Sequence, residues 1–164
     1  MLYGCQSKVT KIQSILLKHP KDAFLNQEAI NFQWKDLNYT DKPDFHKCNE
    51  DYEVFVELLR NNIPELHSLP ANNDTGLDSI YTHDPVLVTN KGAILLNMGK
   101  SQRNGEPSAI GAYLRKIDIP VSGAISPTGT VEGGDTIWLD KGKTLAVARS
   151  YRTNEEGIKQ LQNL

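Results

Sequence analysis

The sequence predicts an α/β fold built from ββαβ units in a radial, propeller-like arrangement. Two segments read as β-hairpins, Val86–Met98 and Thr136–Ala148, each turning on an Asn or Asp closely followed by Gly. Each hairpin is followed by a Ser-x-Arg-x-x-Glu segment, Ser101, Arg103 and Glu106 in one copy and Ser150, Arg152 and Glu155 in the other. Each segment then runs into a helix-forming stretch. The two Ser-x-Arg-x-x-Glu segments are offset by 49 residues, which is the length of one supersecondary module.

Taken in order, Ile12–Leu17 reads as a strand ended by Pro20. Asp22–Leu37 carries weaker helical spacing through Ala23, Ile30, Trp34 and Leu37. The clearest helix spans Asp44–Asn61, with Phe45, Cys48, Tyr52, Phe55, Val56 and Leu59 on one apolar face and Pro43 suited to its first turn. A short strand at Leu66–Leu69 and a polar loop at Ala71–Gly76 follow. In the repeated region the turns are Asn90-Lys91-Gly92 and Asp140-Lys141-Gly142. The helices are placed at Pro107–Ile117 and Asn154–Leu164, the second capped by Thr153 or Asn154. A strand at Ile119–Ile125 joins the copies.

Composition narrows the function classes. With 18 Lys and Arg against 20 Asp and Glu, the net charge of -2 lacks the basic surplus of a general nucleic-acid binder. Mean hydropathy is -0.46 and no apolar run approaches a membrane span. No secretory pattern is read in the first residues, so a cytoplasmic protein with Cys5 and Cys48 as reduced thiols is expected. Cys48 falls on the apolar helix face and Cys5 has no base beside it, so neither reads as an activated nucleophile.

Acidic clusters precede both hairpins: Asp78-Ser-Ile-Tyr-Thr-His83-Asp84-Pro85 and Gly129-Thr-Val-Glu132-Gly-Gly-Asp135. In a radial fold such carboxylates converge and favour a cation, while the arginine loops favour a carboxylate. A guanidino amino acid carries both ends. Asp before Pro and Glu before Gly-Gly also suit plain turns and bulges, and Ser-x-Arg-x-x-Glu also suits a helix cap with solvated charges. His83 fits a general base or a structural residue beside a turn. A metal site from His83, Asp78 and Asp84 would lack further His or Cys ligands, and none is expected. Lys100 lies outside any phosphate-loop order.

Asp78-Ser-Ile-Tyr-Thr-His-Asp-Pro, Arg103-Asn-Gly-Glu106, Gly-Thr-Val-Glu132-Gly-Gly-Asp and Ala-Arg-Ser-Tyr-Arg152-Thr-Asn resemble the guanidino-group modifying (pentein) superfamily. They are most similar to the dimethylarginine dimethylaminohydrolases, with arginine deiminases and glycine amidinotransferases as relatives. The resemblance covers residues 65–164 and, loosely, Ile12–Pro20; Pro20–Pro43 lies outside it. It implies a five-fold α/β propeller, of which residues 1–164 would form the N-terminal two to three modules of a single domain. It also implies a hydrolase in which a cysteine thiolate attacks the guanidinium carbon and a covalent thiouronium forms. Water activated by a histidine then releases citrulline.

By that resemblance Asp84 binds the guanidinium nitrogens, and Glu132 stabilises charge beside the catalytic histidine. Asp78 binds substrate at the first loop, Arg103 and Arg152 clamp its α-carboxylate, and Asp135 supports its loop. His83 stands where relatives carry Arg or Glu. The family's Cys and His positions fall after Leu164, so the chain alone is expected to be inactive. No cofactor is implied. The implied partners are a small guanidino substrate and either a C-terminal complementing chain or a homo-oligomer, with neither nucleic acid nor membrane. A non-catalytic module that binds guanidino amino acids is the alternative.

Overall fold

The computed structural model describes residues 3–7 and 9–164, apart from the side chain of residue 141. The chain forms two compact units, Lys11–Thr82 and a second in which the segment up to Thr10 joins His83–Leu164.

In the Lys11–Thr82 unit, β1 (Ser14–Leu17) pairs in parallel with β2 (Glu65–Ser68), Ile15 opposite Leu66. Parallel strands need a crossover, supplied here by α1 (Pro20–Ala23), α2 (Gln27–Gln33) and α3 (Phe45–Arg60). The single helical stretch expected over Asp22–Leu37 is instead two short helices. Leu25 takes φ +63°, which interrupts the helix, and Asn26 restarts it by accepting the Ala29 N–H on Oδ1 at 2.9 Å. Asp44, rather than Pro43, defines the start of α3 by accepting the Lys47 N–H at 2.8 Å. Ala23, Phe24, Ile30, Leu37 and Leu77 form this unit's core, with Cys48 packed against it. Phe55, expected on the buried face of α3, is 42% exposed, while its neighbour Val56 is buried.

In the second unit, β3 (Val86–Thr89) and β4 (Gly92–Leu95) form the expected antiparallel hairpin, and β5 (Val121–Ala124) joins β4 in parallel. The connection from β4 to β5 is α4 (Glu106–Lys116), which packs on all three strands. The order is therefore ββαβ. A second antiparallel hairpin, β6 (Thr136–Leu139) and β7 (Thr144–Val147), is followed by α5 (Glu155–Gln162). Both hairpins turn where the sequence places them, with Gly92 at φ +130° and Asp140 and Gly142 at +48° and +83°. Leu87, Ile94, Leu96, Ile125, Val131 and Leu161 make the core, backed by Trp138, Leu145 and Val147. Among the described residues no helix is long and apolar enough to cross a membrane.

Candidate functional site

The loops flanking the two hairpins of the second unit lie side by side. The Gly133 N–H donates to the Asp84 carbonyl at 2.8 Å, joining the loop before β6 to the loop before β3. A Cβ on Gly133 would strike the His83 carbonyl, so the close approach requires glycine. After the hairpins, Gly99 lies so near Arg152 that an added Cβ would be 2.6 Å from the Arg152 carbonyl oxygen. The Gly99 N–H donates to Glu132 Oε1 at 3.1 Å. The repeat thus brings Asp84, Arg103, Glu132 and Arg152 into one cluster.

The two arginines are held differently. Arg103, 3% exposed, donates from Nε and Nη2 to both oxygens of buried Glu106, at 2.9 and 2.8 Å. Its Nη1 donates to Asp84 Oδ2 at 2.8 Å and lies 3.8 Å from Glu132 Oε2. Burial disfavours the charged guanidinium, but the Glu106 and Asp84 carboxylates outweigh it and raise the Arg103 pKa above its ordinary value. Fork geometry of this kind fixes orientation as well as charge. Arg152 is looser, with a side chain 29% exposed, Nη1 3.3 Å from Glu132 Oε1 and a guanidinium 5.4 Å from the Tyr151 ring centroid.

Glu132 and Arg152 are also tied through their backbones. The Glu132 N–H donates to the Thr153 hydroxyl at 3.1 Å, and the Arg152 N–H donates to the Ser150 hydroxyl at 2.9 Å. Both hydroxyls donate onward to Asp135 Oδ2, at 2.6 and 2.7 Å. The Arg103 bond to Asp84 falls on Oδ2, and the other carboxylate oxygen is Oδ1. Gly134 adjoins that oxygen, and a Cβ there would sit 3.3 Å from it.

Of the residues singled out in the sequence, Asp84, Arg103, Glu132 and Arg152 share this cluster. Asp78 belongs to the other unit, buried in a 3-10 turn at Leu77–Ile80. His83 is exposed. Among the described residues no group of three or more His, Cys, Asp or Glu side chains is arranged to hold a metal ion. Cys5 is exposed. Burial, with Asp44 and Asp51 nearby, pushes the half-buried Cys48 thiol up from its ordinary value, the reverse of what activates a nucleophile. In the sequence Glu106 carries no substrate role and fits a helix cap with solvated charges. Its i,i+3 spacing from Arg103 at a helix start was the available signal for a pair. Ser150 was noted only as part of the motif and Thr153 as a helix cap; their bonds to Asp135 span up to 18 residues and carry no local signature.

A family model described as N,N dimethylarginine dimethylhydrolase, eukaryotic, matches residues 19–164. The match includes Pro20–Pro43, which the sequence motifs did not cover. A dimethylarginine dimethylaminohydrolase from Pseudomonas aeruginosa is 31% identical over 120 residues, 73% of this chain and 46% of that protein. A solved structure of the Pseudomonas aeruginosa enzyme, a cysteine-to-serine mutant complexed with citrulline, is 25% identical with a TM-score of 0.73. That match covers 93% of this chain and 56% of the solved one. The N-terminal domain of a cyanobacterial arginine dihydrolase, 17% identical over 92% of this chain and 54% of its own, shares the fold with a TM-score of 0.72. The chain spans about half the length of the curated relatives it matches. It belongs to the dimethylarginine dimethylaminohydrolase family, within the guanidino-group modifying superfamily.

Proposed function

We propose that the chain supplies the N-terminal part of a hydrolase acting on guanidino compounds such as arginine or methylarginine. The observation that carries this reading is the charge of the cluster. Asp84, Glu106 and Glu132 meet Arg103 and Arg152, so these five side chains bring three carboxylates to two guanidinium groups. A planar monocation that donates in its own plane, a guanidinium, fits that set.

In this reading Asp84 accepts from the guanidinium nitrogens. Arg103, expected from the sequence to clamp the α-carboxylate, is instead taken up by Glu106 and Asp84 and holds the Asp84 carboxylate. Glu132 adds negative charge where the cation sits. Arg152, the looser arginine, meets the α-carboxylate. The reaction is C–N hydrolysis. A cysteine thiolate attacks the guanidinium carbon, an amine or ammonia leaves with a proton from the histidine, and the thiouronium is hydrolysed by water to citrulline and free thiol. The ββαβ order of β3, β4, α4 and β5 supports reading this unit as part of a five-module propeller.

The nucleophile and base are assigned to sequence outside residues 1–164, because neither Cys5 nor Cys48 stands in the family's cysteine position. The 164-residue chain is therefore expected to produce no citrulline from arginine, monomethylarginine or dimethylarginine. Citrulline formation by the pure chain would overturn that assignment.

A further inference from the structure

The two repeat copies anchor their arginines by opposite means. In the first copy the side chain of Arg103 is locked by Glu106. In the second copy the matching Glu155 turns outward to Lys159 at 2.9 Å, both side chains more than 60% exposed, and leaves Arg152 without a fork. What the second copy has instead is the hydroxyl pair on Asp135. The corresponding first-copy positions cannot form it. Pro85 precedes β3 as Asp135 precedes β6, and Asn104 stands 49 residues before Thr153, while the Ser101 hydroxyl donates to its neighbour Gln102.

We infer that Ser150 and Thr153 are positioning residues whose hydroxyls, both oriented by Asp135, hold the backbones of Arg152 and Glu132 in register. A hydroxyl has one proton. With that proton given to Asp135 Oδ2, each oxygen can only accept, and each accepts a backbone N–H of the site: Glu132 on Thr153, and Arg152 and Thr153 on Ser150, at 2.9 to 3.1 Å. Thr153 is fully buried, so water does not replace its hydroxyl. The device fixes main chain 20 residues apart while leaving the Arg152 guanidinium its freedom. An arginine that must close on an incoming carboxylate needs a fixed root and a movable head. This inference rests on the guanidino-binding reading above.

Calorimetric titration of L-arginine into the wild-type protein, Thr153→Val and Thr153→Ser tests it, paired with amide hydrogen exchange. Valine keeps the shape and removes the hydroxyl, while serine keeps the hydroxyl. Thr153→Val is expected to weaken arginine binding roughly tenfold, about one hydrogen bond's worth of misplacement. Thr153→Ser should stay within about twofold, below half a hydrogen bond on the same scale. In Thr153→Val the Glu132 amide should exchange about tenfold faster while the Ala93 amide of the β4–β5 sheet does not change. A Thr153→Val variant that binds arginine as the wild type does, or a Thr153→Ser variant that loses as much as valine, overturns the inference. If the wild type fails to bind arginine, binding by these residues alone is refuted and the exchange data decide. Selective acceleration at Glu132 supports the device, and its absence overturns it. Should Thr153→Val not fold, Ser150→Ala, which frees the Arg152 amide, is read by the same two measurements.

Discussion

Replacing Glu106 by Gln tests whether the buried fork on Arg103 is a structural keystone of the second unit. The Arg103 side chain is 4% exposed and that of Glu106 2% exposed, so neither charge is compensated by water when its partner is removed. Gln keeps the volume, but its amide NH2 faces the guanidinium donors, so one of the two bonds at 2.8 and 2.9 Å becomes a donor–donor contact. Breaking a buried ion pair from one side costs about 3–5 kcal/mol, and the surviving 2.8 Å bond to Asp84 places the cost near the lower figure. In a chain of this size 1 kcal/mol shifts Tm by about 2–4 °C, so Glu106→Gln should melt roughly 6–12 °C below wild type. Glu155→Gln, at the same motif position in the second copy, removes only an exposed pair with Lys159 and should leave Tm unchanged. Calorimetric melts of the three proteins decide the point. A Glu106→Gln melt within about 2 °C of wild type, below 1 kcal/mol on the same scale, would refute the reasoning, as would an equal loss in Glu155→Gln.

Three further outcomes follow from single contacts. Gly157→Ala would ordinarily strengthen helix α5, but its Cβ would lie 2.7 Å from the Thr130 carbonyl carbon. It should instead destabilise by about 1–3 kcal/mol, read as a lower urea midpoint at unchanged slope. Gly134→Ala places a methyl 3.3 Å from Asp84 Oδ1 at an exposed position. It should weaken L-arginine binding several-fold while leaving Tm at the wild-type value, and an unchanged affinity would count against Asp84 as the guanidinium acceptor. Burial raises the Cys48 thiol, so its thiolate fraction at pH 8 is small, while Cys5 is exposed. Iodoacetamide should label Cys5 first, followed by mass spectrometry of the two peptides.

The repeat was legible because tight turns and helix starts leave local signatures. Asn90-Lys91-Gly92 and Asp140-Lys141-Gly142 marked both hairpins, and the helices after Arg103 and Arg152 begin within a residue or so of the motif. The apolar spacing of α3 marked the helix but not its depth of burial, because Phe55 and Val56 differ in exposure through tertiary packing alone. The break at Leu25 was not legible. A leucine at φ +63° is imposed by its surroundings, and nothing in its side chain announces it. For the site, the residue types pointed to a cation beside an arginine, yet the sequence could not separate a locked Arg103 from a loose Arg152. Both occupy the same motif, and the difference lies in whether the following Glu is buried, as Glu106 is, or solvated, as Glu155 is.

The proposed two-ended site is tested most directly by titrating L-arginine and agmatine, which lacks the carboxylate, into wild type and Arg152→Ala. If Asp84 and Glu132 take the guanidinium and Arg152 takes the carboxylate, wild type should bind arginine about 10- to 100-fold more tightly than agmatine, the value of one charge-assisted pairing. In Arg152→Ala the two affinities should converge on that of agmatine. Equal affinities in wild type, or a preference for arginine that survives Arg152→Ala, would contradict the site as described.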